Sequence, residues 1–337
     1  MKFARLAFCV TAMLLAGPGS AAPASPQIVR RIPLHDGGWD LLTVDPAAHR
    51  VLIARSDGVD AVDTQTGAVT PRLISGTRFH GVIIVPATEL AVATEAAGTA
   101  VIFNRLTGKV TAEVKTDPDA DALLYEPKSK RVWVMNGDSG SITIIDPLDG
   151  RVFEKIELKS PLEFAAADDS RHVFVNLSDE GKLAKIAIDR RIPDMPNDRI
   201  SGVTLTGCQH PTGLAYVHPG ILISACANGI AKLIRASDLK LLGDIPIGPR
   251  PDGAFADARR KRAYIPSGGD GTLAVIDTSG PVPRKIATVA TEVGARTGTA
   301  DPVSGTFYLP AAKFGPPPAG GGRPAILPGS VELLAVR

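Results

Sequence analysis

Short apolar runs recur along this chain at a nearly constant interval, each placed just after a turn built from Pro, Asp, Lys or Ser. Seven of them read VLIAR, AVATE, VWVMN, VFVNL, ILISA, AYIPS and FYLPA, beginning at Val51, Ala91, Val132, Val173, Ile221, Ala263 and Phe307. The steps between them are 40, 41, 41, 48, 42 and 44 residues. Each run is short and rich in β-branched or aromatic residues, the composition of a buried strand. A fixed period near 40 residues indicates propeller blades or a solenoid, because a unit of that size cannot bury its apolar face alone.

The neighbourhood of each run fills in the rest of the unit. An apolar segment precedes it (LLTVDP, GVIIVP, ALLYEP, GLAYVHP and GAFADA), making a hairpin, and a third strand follows (VDAVD, AVIFN, ITIID, LAKIAI, IAKLI, LAVID and VELLAV). TQTG, RLTG and PLDG then turn the chain, with Gly67, Gly108 and Gly150 suited to positive φ. Most units continue into a fourth strand, such as Arg151 to Leu158 and Lys240 to Ile247. Four antiparallel strands in a unit of this length predict a β-propeller blade. The seventh unit ends at its third strand, VELLAVR, whereas an unmatched strand, Gln27 to Leu34, stands before the first unit. Pairing the two would complete the last blade and remove an open sheet edge. The expected fold is all-β: a seven-bladed propeller of four-stranded antiparallel blades, with the N-terminal strand closing the last blade.

Composition adds a compartment. Lys2 and Arg5 precede an apolar stretch from Leu6 to Ala16 and then small residues, the layout of a secretory signal peptide over residues 1–24, cleaved after Ala22-Pro23-Ala24. The stretch is too short for a membrane anchor, so a periplasmic or extracellular protein is expected, with residues 25–337 forming one propeller domain. Loss of Lys2 and Arg5 leaves 35 basic residues (37 − 2) against 35 acidic ones, a net charge near zero. That balance offers no field to gather a polyanion and argues against nucleic acid as a partner. Cys208 and Cys226 flank the first hairpin of the fifth unit and, in an oxidising compartment, are expected to pair.

The blade pattern resembles that of bacterial secreted YncE-like proteins, built from YVTN-type propeller repeats. The resemblance is carried also by HPTGLA from His210 to Ala215, by GARTGTADP from Gly294 to Pro302, and by KFGP with RPAILPGS near the end. The YVTN tetrapeptide itself is degenerate, as VWVMN and VFVNL. The resemblance implies a secreted or periplasmic seven-bladed propeller without a settled activity. One DNA-binding relative makes a DNA-binding propeller the third option for function.

In a propeller the loops leading into the innermost strands converge on one mouth of the central channel. The corresponding positions are Asp40, His80, Asp121, Leu162, Gly213, Asp252 and Arg296, with Trp39, Glu163 and His210 beside them. They describe either a hydrated funnel or a ligand pocket. Trp39, Asp40, His80, Asp121, Glu163, His210, Asp252 and Arg296 are the candidate ligand-binding set. A calcium ion would draw its oxygens from Asp40, Asp121, Glu163 and Asp252, whereas His80 and His210 suit a transition metal. No cofactor is required by any motif. DPDAD at 117–121 lacks the glycine of a calcium loop and has Lys128 where the bidentate Glu belongs. GDSG at 137–140 and SGGDG at 267–271 fall where hairpins must turn, and no CxxCH or adjacent cysteine pair indicates haem or quinone chemistry.

Two insertions interrupt the repeat. Asp189 to Gly202 reads as a solvated loop, and Lys313 to Ser330, rich in Pro and Gly, reads either as a strap over the mouth or as a tolerated insertion. With no catalytic constellation, the leading expectation is a monomeric binding or scaffold protein. It would hold a small ligand, peptide or protein through its mouth and the 313–330 strap. A calcium-dependent hydrolase of lactonase type is the alternative.

Overall fold

The computed structural model describes residues 25–188, 199–217, 219–318 and 320–337. The expected signal peptide and residues 189–198 of the first insertion lie outside the described residues. Seven separate four-stranded antiparallel sheets follow one another along the chain. Their innermost strands are Trp39–Asp45, Phe79–Ile84, Ala120–Glu126, Leu162–Ala167, Pro211–Val217, Phe255–Asp257 and Thr299–Ala300. Each packs against the next, and the seventh packs against the first, so the sheets form a closed ring. Among the described residues there is no α-helix. The structure is a seven-bladed β-propeller.

The seven periodic runs are the second strands of the blades, from Arg50–Arg55 to Phe307–Ala311. They are almost completely buried, because a second strand has sheet neighbours on both edges and a neighbouring blade on both faces. This explains their unbroken apolar character. Outer strands such as Val152–Glu157 show alternating exposure instead, with one face on the core and one on water.

The ring is closed as the matching deficits at the two ends require. Ile28–Pro33 pairs antiparallel with Glu332–Val336, from Ile28 opposite Val336 to Pro33 opposite Glu332. Gln27 and Arg337 exchange backbone hydrogen bonds at 2.9 and 3.0 Å, extending the ladder to the end of the chain. Ile32 and Leu34 are buried against Leu42, Val44 and Val51 of blade one. The chain then passes directly into blade one, where a guanidinium N–H of buried Arg55 donates to the His35 carbonyl at 2.6 Å.

Polar stitches between blades set the mouth. Thr94 Oγ1, from the second strand of blade two, donates to the Asp121 carbonyl of blade three at 2.8 Å. Asn176 of blade four donates to the carbonyls of Thr212 and Gly213 in blade five at 2.8 and 3.1 Å. Thr297 donates to the Asp40 carbonyl at 2.9 Å, joining blade seven to blade one. Cys208 and Cys226 are joined by a disulfide, with Cα atoms 5.4 Å apart.

Both insertions differ from their simplest readings. The end of the first is not loop, because Ile200–Thr204 is the outer strand of blade four, paired with Lys182–Ala187. Its polar ISGVT sequence carries little strand signal, and pairing with an otherwise open edge decides its conformation. The second is a narrow hairpin rather than a single extended strap. Phe314 bridges Ile326, Gly315 N–H donates to the Ala325 carbonyl at 2.9 Å, and Leu327 N–H donates to Lys313 at 2.8 Å. Ser330 Oγ donates to the Leu327 carbonyl at 2.6 Å, and Gly329 N–H donates to Asp36 at 2.8 Å, fixing the hairpin base to the segment leading into blade one.

Candidate functional site

The mouth is organised by a backbone device repeated around the ring. Two or three residues before most ring positions stands a residue with positive φ: Arg78 at 52°, Asp119 at 60°, Lys159 at 58°, His210 at 44° and Arg250 at 53°, with Gly294 at 93° in blade seven. A left-handed conformation is unfavourable for ordinary L-residues, so it persists where surrounding bonds over-determine it. Those bonds are present. In several blades the residue after the second strand donates its N–H back across the loop: Ala96 to Arg78 at 3.0 Å, Gly137 to Asp119 at 2.8 Å, and Gly268 to Arg250 at 3.1 Å. The rim is therefore preorganised.

Three of the candidate residues come together on blades one to three. His80 Nδ1 lies 2.9 Å from Asp40 Oδ2 and 3.3 Å from Asp121 Oδ1. Asp119 Oδ1 stands 3.8 Å from His80 Nε2. The hydrogen bond to Asp40 raises the pKa of His80 against the opposing effect of burial. Burial, reinforced by repulsion from Asp40, pushes Asp121 up to about 8. Burial also raises Glu163 well above the usual carboxylate range, with repulsion from Asp252 and Asp121 adding to it. Asp252 is pushed up to about 6 by burial, despite its ion pair with Arg296, Nε to Oδ2 2.9 Å. With Asp121 raised to about 8, and Glu163 and His80 also shifted upward, the mouth is less negative than its carboxyl count suggests.

A cation in this cluster would meet one ligand atom each from Asp40, His80 and Asp121, all within 4.8 Å of one another. Two carboxylates and an imidazole match a transition metal better than calcium, which takes six to eight oxygens. Glu163 and Asp252 are not part of that convergence, and Asp252 is engaged by Arg296. His210 stands apart from the ring. Its side chain is 65% exposed and its nearest acidic partner is Asp179 at 3.7 Å, because its left-handed turn carries it to the rim of blade five.

Trp39 and Arg296 belong to a second feature, a cavity of about 380 Å³ between the strap hairpin and the mouth loops of blades six, seven and one. Arg250, Phe314, Arg323 and Ile326 complete its principal lining. None of those four is a ring position. The periodic count misses them because Arg250 lies two residues before one, and the other three come from outside the repeat. Below the mouth the channel wall changes character: Leu41, Leu123, Phe164, Leu214, Ala254 and Phe255 line an apolar space of about 390 Å³. Phe164 and Phe255 meet there edge to face at 5.9 Å between centroids.

Fold and site together define a closed seven-bladed propeller whose polar mouth is partly roofed by a hairpin. No protein-family model matches the sequence. No curated protein matches it either. Solved structures do match in shape. A chain in "Crystal Structure of Mitotic Checkpoint Complex" superposes with a TM-score of 0.71 at 12% identity, covering 92% of this chain and 96% of the other. "Crystal structure of RRP9 WD40 repeats" gives 0.72 at 10%, covering 93% and 99%. "Structure of U3-55K" gives 0.70 at 10%, covering 92% and 99%. At such identities the likeness establishes the propeller fold and nothing about what is bound.

Proposed function

We propose that this chain is a secreted, YncE-like propeller acting as a non-enzymatic binding or scaffold protein, with its mouth and the 313–330 hairpin as the binding surface. The observation that carries the reading is the roofed cavity beside the channel mouth, where convergent polar groups and aromatic side chains meet on rigid loops. Export is supported by the basic-then-apolar N-terminus and is consistent with the Cys208–Cys226 disulfide. No helix among the described residues is long and apolar enough to cross a membrane. Thermal-shift screening of the mature protein against small ligands and peptides tests the reading, beside a variant in which residues 315–325 are replaced by a short Gly-Ser turn. Ligands that raise the melting temperature of the parent but not of the variant support it. Equal stabilisation of both proteins by every ligand would place the binding surface elsewhere.

A second reading, metal-assisted hydrolysis at the mouth, draws on the convergence of Asp40, His80 and Asp121. The donor set is unlike that of a calcium-dependent lactonase, so no reaction step is derived from it. Metal analysis of the purified protein, with melting curves in the presence and absence of a chelator, separates the readings. The binding-protein reading expects no bound metal and no shift.

A further inference from the structure

We propose that the cavity under the hairpin is a site for a small organic carboxylate with an aromatic or branched apolar body. This deepens the mouth-and-strap reading and rests on it. Three arginines, Arg250, Arg296 and Arg323, line the same space of about 380 Å³ as Trp39, Phe314 and Ile326. They come from two sources: Arg250 and Arg296 from the mouth loops of blades six and seven, and Arg323 from the hairpin.

The charge balance points to an anion. Arg296 Nε is committed to Asp252 at 2.9 Å. Among the described residues neither Arg250 nor Arg323 has an ion-pair partner within 4.0 Å. The positive charge of Arg323 nevertheless reaches Asp252, whose carboxyl it holds lower than burial alone would. Two arginines without an ion-pair partner suit a carboxylate group, which guanidinium binds through paired, planar hydrogen bonds.

The rest of the lining points to an apolar body. Trp39, Phe314, Pro324, Ile326 and Val293 supply hydrophobic and aromatic walls. Val293 is 56% exposed, an open apolar contact on the rim. Gly38, Gly268 and Gly294 leave parts of the wall without side chains. Gly294 is the seat of the hairpin. A Cβ there would fall far inside contact distance of the Phe314 ring, and its φ of 93° already disfavours any other residue. A bare inorganic anion would leave this apolar surface unused. Because Arg323 and Phe314 arrive on the hairpin, the ligand would also hold the roof onto the mouth.

The test uses the full mature chain and three probes: 2-naphthoate, the uncharged 2-naphthalenemethanol, and inorganic phosphate, followed by calorimetric titration. We expect saturable one-to-one binding of 2-naphthoate, at least tenfold weaker binding of the alcohol, and no competition by equimolar phosphate. R250A and R323A should each weaken 2-naphthoate at least tenfold with unchanged melting temperatures, whereas R323K should retain part of the affinity. G294A, which unseats Phe314, should weaken it without removing a charge. Equal binding of the alcohol, indifference to R250A and R323A, effective competition by phosphate, or no saturation at millimolar 2-naphthoate would each overturn the proposal. Hairpin-dependent stabilisation by a cationic or uncharged ligand in the screen would leave the mouth-and-strap reading standing while overturning this one.

Discussion

Replacing Asp121 by Asn offers the most direct check on the electrostatics of the mouth. The folded protein holds the Asp121 carboxyl up to about 8, whereas an unfolded Asp titrates near 3.9. Between those values the folded state binds one more proton than the unfolded state, so stability must fall as pH rises. The full effect of one proton is about 1.4 kcal/mol per pH unit. In the interval from pH 6.5 to 7.5 Asp252, at about 6, has largely ionised, and any contribution of Glu163, whose carboxyl burial also raises, has the same sign and remains in the variant. Carboxylates held low by hydrogen bonds and ion pairs, such as Asp117 and Asp277, have the opposite sign and act only at more acidic pH. His80, whose pKa is raised, contributes stability that is also lost as pH rises through its folded value, and it remains in the variant. Asp121→Asn should therefore flatten the slope by about 1 kcal/mol per pH unit without abolishing it. Denaturant midpoints at pH 6.5, 7.0 and 7.5, in buffer containing a chelator, give the slope directly. In melting temperature the difference is roughly 2 °C per unit. A variant slope equal to that of the parent, or parent stability that rises across the interval, would refute this account of the mouth.

Three further outcomes follow from the ring and its stitches. Ile32→Ala should destabilise by about 2–4 kcal/mol, since it opens a cavity between the closing strand and blade one, and thermal or denaturant unfolding would register it. Replacing both Cys208 and Cys226 by Ser should cost about 3 kcal/mol for a bridge spanning 18 residues, measured against the oxidised parent. Gly213→Ala should cost about 1–3 kcal/mol, because a Cβ there would collide with the Gly253 backbone of the neighbouring blade. A melting curve unchanged by the last substitution would mean that blades five and six are not packed as closely as described.

Most of the architecture could be read from the chain alone, and for one reason. A second strand with neighbours on all sides has to be apolar at every position, so VWVMN and VFVNL announce themselves, and their even spacing counts the blades. Closure was legible too, since a blade one strand short and a strand without a blade leave a single economical pairing. Outer strands were harder. Ile200–Thr204 is half-exposed and weakly patterned, and it becomes a strand because an edge is waiting for it.

The mouth divides along the same line. Repeat position alone put Asp40, His80 and Asp121 at the rim, since equivalent positions of a propeller occupy equivalent places around its axis. Tertiary structure decided which of them meet, because side-chain reach and loop conformation vary from blade to blade: His80 bridges Asp40 and Asp121, while His210 turns outward. Only the fold could bring Arg323 and Phe314 over Arg250, Arg296 and Trp39. Those hairpin residues lie outside any period, and their place depends on a hairpin anchored at Ser330 and Asp36, whose contacts span up to 293 positions of sequence.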